Sequence, residues 1–91
     1  MSRDEIPRLE EKYLANAYFR RNLVVDHGKD AIIWDINGRE FIDCMTGYGS
    51  GFIGHSNPRV IEAIRAQTDK LLACHGTLYL ESRAQLAKKL I

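Results

Sequence analysis

Apolar residues recur at helical spacing at the start of the chain. Ile6, Leu9, Tyr13, Leu14 and Ala17 fall on one narrow face, which predicts a helix from residue 4 to about 18. Asp4 is placed to cap it, and Pro7 is tolerable in its first turn. The face is too narrow for the helix to stand alone. Leu23-Val24-Val25 then reads as a short strand that ends in a turn at Asp26-His27-Gly28.

The pattern next changes to runs of β-formers. Ala31-Ile32-Ile33-Trp34-Asp35-Ile36 and Arg39-Glu40-Phe41-Ile42-Asp43-Cys44 flank Asn37-Gly38. Asn-Gly between such runs is the strongest short-range hairpin signal, because a type I′ turn needs φ > 0 at both central residues. A two-residue turn sets Trp34 opposite Phe41 and Ile33 opposite Ile42. It also sets Asp35 opposite Glu40, a like-charge pair. A three-residue loop with a glycine bulge removes that conflict.

After a glycine-rich tract, Asn57-Pro58 opens a second helix, with Asn57 as cap and Pro58 at the first helical position. Val60, Ile61, Ile64, Thr68, Leu71 and Leu72 mark its expected buried stripe. Ala73 to Leu80 is irregular. Ser82-x-x-Gln85 reads as a capping box for a last helix carrying Ala84, Ala87, Leu90 and Ile91. The predicted class is α+β: an N-terminal helix, a small antiparallel hairpin or sheet, then helices. With 91 residues the chain holds at most one small, marginal core.

Composition narrows the function classes. The chain is 45% hydrophobic and 27% charged with a formal net charge of +1, which gives no electrostatic footprint for nucleic acid. Its apolar runs are too short to span a bilayer, and its polar, charged start does not resemble a secretory signal. Reduced Cys44 and Cys74 and a cytoplasmic location are the expectation. His27, His55 and His75 lack metal-ligand spacing, so no metal site is expected. His55 reads as a helix-start residue with local hydrogen bonds.

Candidate chemistry centres on Gly47-Tyr48-Gly49-Ser50-Gly51-Phe52-Ile53-Gly54-His55. Four glycines in eight residues permit positive φ and close backbone approach, and two aromatic residues sit among them. Such a loop lies against a ligand or another backbone. Gly49-x-Gly51-x-x-Gly54 formally matches the dinucleotide fingerprint, but that fingerprint needs a buried parallel strand before it and a helix opening inside it. Thr77 and Tyr79 lie in the irregular stretch, where loop packing competes with phosphate or substrate contact.

Three segments together resemble class III aminotransferases, the pyridoxal-phosphate enzymes acting on acetylornithine, ornithine and 4-aminobutyrate. These are Ile33-Trp34-Asp35-Ile36-Asn37-Gly38-Arg39-Glu40-Phe41-Ile42-Asp43, then Gly47 to Gly54, then His55-x-x-Pro58-x-Val60-x-x-Ala63-Ile64. Leu78-Tyr79 and Leu86-Ala87-x-x-Leu90 continue the likeness, which covers about residues 23 to 91. The resemblance implies the N-terminal part of the small domain of a fold-type I enzyme, cut before its large cofactor domain. It implies that Tyr48, Gly49 and Tyr79 face substrate and that Thr77 approaches the cofactor phosphate across a dimer interface. It implies pyridoxal 5'-phosphate in the complete enzyme, an amino-acid substrate, and two partners: the remaining large domain and a second copy. No catalytic residue is expected here. The five lysines (Lys12, Lys29, Lys70, Lys88 and Lys89) fall on predicted helix surfaces or turns, without a pocket that would lower an amine pKa. The segment alone is therefore expected to be inactive. The competing readings are a non-catalytic interaction module and a nucleotide-binding module using Gly49 to Gly54.

Overall fold

The computed structural model describes all residues, Met1–Ile91, as two units, Met1–Pro58 and Arg59–Ile91. The first contains helix α1 (Glu5–Tyr13) and strands β1 (Val25–Lys29), β2 (Ile32–Asp35) and β3 (Glu40–Ile42). The strands form an antiparallel sheet in the order β1-β2-β3. Helix α2 (Pro58–Thr68) opens at the boundary, and α3 (Glu81–Leu90) lies within the second unit.

Helix α1 is shorter than its periodicity predicts and ends at Tyr13. Asp4 makes no side-chain cap. Ser2 does that work instead: its hydroxyl accepts the Glu5 N–H at 3.2 Å, while the Glu5 carboxylate accepts the Ser2 backbone N–H at 3.3 Å. The reciprocal pair satisfies an otherwise orphan donor of the first turn.

Asp26-His27-Gly28, read from sequence as a turn, lies within β1. The chain reverses one step later at Asp30-Ala31, where Asp30 takes a left-handed φ of 53°. β1 is an outer strand, so it tolerates polar residues. His27 stacks its ring on Trp34 with centroids 4.8 Å apart. A bulge at Asp26 shifts the register between Val25↔Asp35 and His27↔Trp34.

The expected hairpin forms, with the longer loop. Trp34 pairs with Glu40, Ile33 with Phe41 and Ile32 with Ile42, one residue away from the two-residue register. Asp35 explains the choice. Its Oδ1 accepts the Asn37 and Arg39 N–H groups, each at 2.9 Å, and its Oδ2 accepts Arg39 Nε at 2.7 Å. The Gly38 N–H closes the turn on the Asp35 carbonyl at 2.9 Å, with Gly38 at φ 78°. These bonds need Asp35 beside Arg39, so they win over the tighter turn and keep Asp35 away from Glu40.

Asp35 is the one buried residue, at 3% exposure, and no apolar side chain is buried. The stripe predicted on α2 is accordingly uncovered in this chain: Val60 is 41% exposed, Ile64 57% and Leu72 81%. Leu71 and Leu72 also lie beyond the helix, which ends at Thr68. Helix α3 starts at Glu81 without a side-chain cap, so Ser82 sits inside its first turn and the predicted capping box does not form.

Candidate functional site

The glycine tract leaves β3 and returns to the sheet at His55. Its first foot is Asp43. The Asp43 N–H bonds the Ala31 carbonyl at 2.8 Å, and Oδ1 accepts the Met45 and Thr46 N–H groups at 2.9 and 3.1 Å. Its second foot is His55. The backbones of His55 and Asp30 exchange two bonds, at 2.8 and 2.9 Å. Ser56 adds a hydroxyl bond to the Gly28 carbonyl at 2.7 Å.

The two feet also meet directly, with His55 Nε2 lying 2.6 Å from Asp43 Oδ2. The sequence reading of His55 as a locally bonded helix-start residue is therefore wrong. Its partners are twelve residues upstream or further, on the sheet. The hydrogen bond from His55, followed by those from the Thr46 and Met45 amides, holds the Asp43 carboxyl below the ordinary value of 3.8. At Asp35 burial pushes the carboxyl up. The bonds from Arg39 and Asn37 outweigh that and bring it below 3.8.

Glycine is required at two places here by close approach. A Cβ on Gly28 would sit 2.8 Å from His55 Cγ, and one on Gly54 would sit 3.1 Å from the Asp30 backbone with φ at 89°. The lack of a side chain at both positions lets the loop end lie close against the β1–β2 turn.

Between the feet the backbone is left-handed. Thr46, Gly47, Tyr48 and Gly49 follow one another at φ 49°, 57°, 55° and 90°. The Tyr48, Gly49 and Ser50 N–H groups reach back three residues to the Met45, Thr46 and Gly47 carbonyls at 3.0, 3.1 and 3.3 Å. This is one turn of left-handed helix. It costs roughly 1–2 kcal/mol at each residue bearing a Cβ, here Thr46 and Tyr48. The turn lifts Tyr48 to 93% exposure. A cleft of about 260 Å³ lies under the loop, lined by Asp30, Asp43 and Gly51 to His55 among others.

The tract does not have the shape of a dinucleotide loop. The strands around it are antiparallel, and α2 opens only at Pro58, after the return to the sheet. That sequence-level alternative is set aside.

In the second unit Thr77 and Tyr79 lie before α3. The Thr77 hydroxyl is 2.9 Å from His75 Nδ1, and the Thr77 N–H points to the same nitrogen at 3.3 Å. Tyr79 is fully exposed, and Arg83 bonds the Leu78 carbonyl beside it. Tyr48 and Gly49 thus share one turn, while Thr77 and Tyr79 belong to the other unit. The Asp43–His55 contact is the feature of this loop that local reading missed. An acid and an imidazole at opposite ends of a glycine tract were the available signal.

This frame, a three-stranded meander followed by a glycine loop and a proline-opened helix, belongs to a known class. Residues 13–91 match the class III aminotransferase family, and the chain belongs to it. It is 39% identical over 90 residues to the acetylornithine aminotransferase of Methanothermobacter thermautotrophicus, covering 99% of this chain and 23% of that protein. It is 38% identical over 82 residues to the LysW-aminoadipate semialdehyde transaminase of Deinococcus radiodurans, covering 90% of this chain and 19% of that protein. The solved acetylornithine aminotransferase of Elizabethkingia anophelis superposes with a TM-score of 0.92 at 28% identity, covering 99% of this chain and 24% of that one. The chain therefore spans about a quarter of the length of such relatives. No helix is long and apolar enough to cross a membrane.

Members of this family depend on pyridoxal phosphate. The residues present do not by themselves fit that group. All five lysines are exposed, and none lines the cleft under the glycine loop.

Proposed function

We propose that residues 1–91 are the N-terminal segment of the small domain of a cytoplasmic, pyridoxal-phosphate-dependent aminotransferase. Its amino donor is an ω-amino or basic amino-acid derivative of the acetylornithine, acetyl-lysine or ornithine type, and its acceptor is a 2-oxo acid. The observation that carries this reading is family membership combined with a surface that no part of the segment covers. A fold whose apolar side chains all remain at least partly open needs more protein to pack against. The partners are the large cofactor domain and, in a homodimer, a second copy.

In this reading Tyr48, Gly49 and Tyr79 contact substrate, and the Thr77 hydroxyl approaches the cofactor phosphate. Bound by the complete enzyme, the cofactor supplies the electron sink for amino transfer. The segment's own part is binding and orientation. The left-handed turn presents the Tyr48 ring and hydroxyl, and Gly49 follows with no side chain. Without a lysine of the right kind the segment alone is inactive.

The test is Tyr48→Phe in the intact enzyme, assayed with ornithine or N-acetylornithine and a 2-oxo acid. Loss of one substrate hydrogen bond costs roughly 1–3 kcal/mol in kcat/KM, with Tm unchanged. Unchanged kinetics with a lower Tm leaves Tyr48 as scaffold. Absence of any aminotransferase activity in the intact protein favours the second reading, a non-catalytic module that binds a partner through the same open apolar faces.

A further inference from the structure

The exposed aromatic residue of the loop stands on a backbone that resists being there. Four consecutive residues at positive φ, two of them with a Cβ, do not persist without support. The bonds of Ser50 to Gly47, Gly51 to Thr46 and Gly54 to Gly51 stay inside the loop. Its attachment to the sheet comes at the two ends, and those ends are joined by one contact between side chains.

We propose that Asp43 and His55 form a positioning pair, which closes the base of the glycine loop, holds Thr46–Gly49 left-handed and so aims Tyr48 at the substrate. The proposal rests on the substrate-facing role of Tyr48 given above. Three observations carry it. Asp43 spends one carboxylate oxygen on the first residues of the turn, at Met45 and Thr46, and the other on His55. A shift of His55 is thereby passed through one rigid carboxylate to the residue where the left-handed run begins. His55 is fixed by its two backbone bonds to Asp30 and is seated where Gly28 has no side chain, so it is an anchor and does not follow the loop. The pair is also part-buried: the Asp43 side chain is only 13% exposed, though that of His55 is 37% exposed.

The experiment uses the intact protein with His55→Ala, and with His55→Gln, whose amide offers Asp43 a replacement donor. Chymotrypsin cleavage is followed site by site by mass spectrometry, after Tyr48 and Phe52 in the loop and after Tyr79 as control. His55→Ala is expected to speed cleavage in the loop about tenfold, the effect of losing one charge-assisted hydrogen bond, with Tyr79 unchanged. KM for the amino donor rises to a similar extent with kcat within about twofold, and His55→Gln recovers most of both. In a Tyr48→Phe background His55→Ala adds little to KM, because the residue being aimed has lost its contact.

Unchanged cleavage after Tyr48 overturns the proposal. An equal rise after Tyr79 does so too, since the pair would then hold the chain generally. If His55→Ala does not fold, Asp43→Asn decides. It keeps an oxygen for the Met45 and Thr46 amides and removes the charge facing His55, and it must still loosen the loop selectively. If the unmodified protein has no aminotransferase activity, the functional reading falls, and the cleavage pattern still decides whether the pair holds the loop.

Discussion

Gly28→Ala probes the seat of the glycine loop from a residue outside it. Gly28 lies in β1 with a backbone any residue can adopt, so alanine there should stabilise the strand by about 0.5–1 kcal/mol through lost chain entropy. The added Cβ, however, would meet His55 Cγ at 2.8 Å and His55 Cβ at 3.0 Å. Those atoms are next to the backbone, which is itself bonded twice to Asp30, so the ring has no cheap way to move aside. Overpacking of this kind costs about 1–3 kcal/mol. With each effect near the middle of its range, the net local loss is about 1 kcal/mol, or about 5- to 10-fold in an opening equilibrium. Amide hydrogen exchange at Asp30 and His55, whose N–H groups make the bridge, reads this directly. Exchange there should speed up by that factor, while α3 is unaffected. Unchanged or slower exchange at the two amides would mean that His55 yields freely, and the rigid anchoring of the loop end would be refuted.

Three further outcomes are expected. Gly38→Ala meets no atom within 4 Å, so only its φ of 78° matters; it should weaken the hairpin by about 1 kcal/mol, with Gly38→Asn costing less, read by exchange at the Gly38 and Arg39 amides. Asp35 and Asp43 are both held below the ordinary carboxyl value of 3.8, so their stabilisation is fully present above that pH and is lost as pH falls through their depressed values. Far-UV circular dichroism should therefore show no loss of structure from these groups between pH 7 and 5 and a loss only below about pH 4; a loss of the sheet signal near pH 6 would contradict it. Expressed as 91 residues alone, the chain should self-associate in sedimentation, whereas a sharp calorimetric melt of a monomer would count against its being part of a larger fold.

What was legible in the sequence is what depends on near neighbours. The hairpin at Asn37-Gly38, the helix opening at Pro58 and the irregular stretch to Leu80 all follow from local chemistry. The register moved by one residue because Asp35 finds its bonds at Asn37 and Arg39, a preference that strand propensity does not contain. Asp26-His27-Gly28 looked like a turn because polar residues and glycine usually end strands; on an outer strand stacked against Trp34 they do not. Helix α1 stopped at Tyr13 although the periodicity continues, since apolar spacing extends a helix only where a packing surface rewards it. At the loop, sequence reading found the glycines and Tyr48 but missed the Asp43–His55 contact, which closes over a twelve-residue separation.

The uncovered apolar faces also set a schedule for biosynthesis. If this segment opens a longer enzyme, it leaves the ribosome first. At about 5–20 residues per second, the remaining three quarters take on the order of tens of seconds to follow. The hairpin, built from neighbouring residues, can close within about 1–10 μs of emerging. Tyr18, Phe19, Phe52 and Leu72, all at least 78% exposed, have nothing to fold onto until the later domain arrives. The nascent chain would then spend that interval as a finished β-meander flanked by uncovered apolar segments, the form of client that holding chaperones retain. Its yield in a cell would depend on that waiting time as much as on the stability of the finished enzyme.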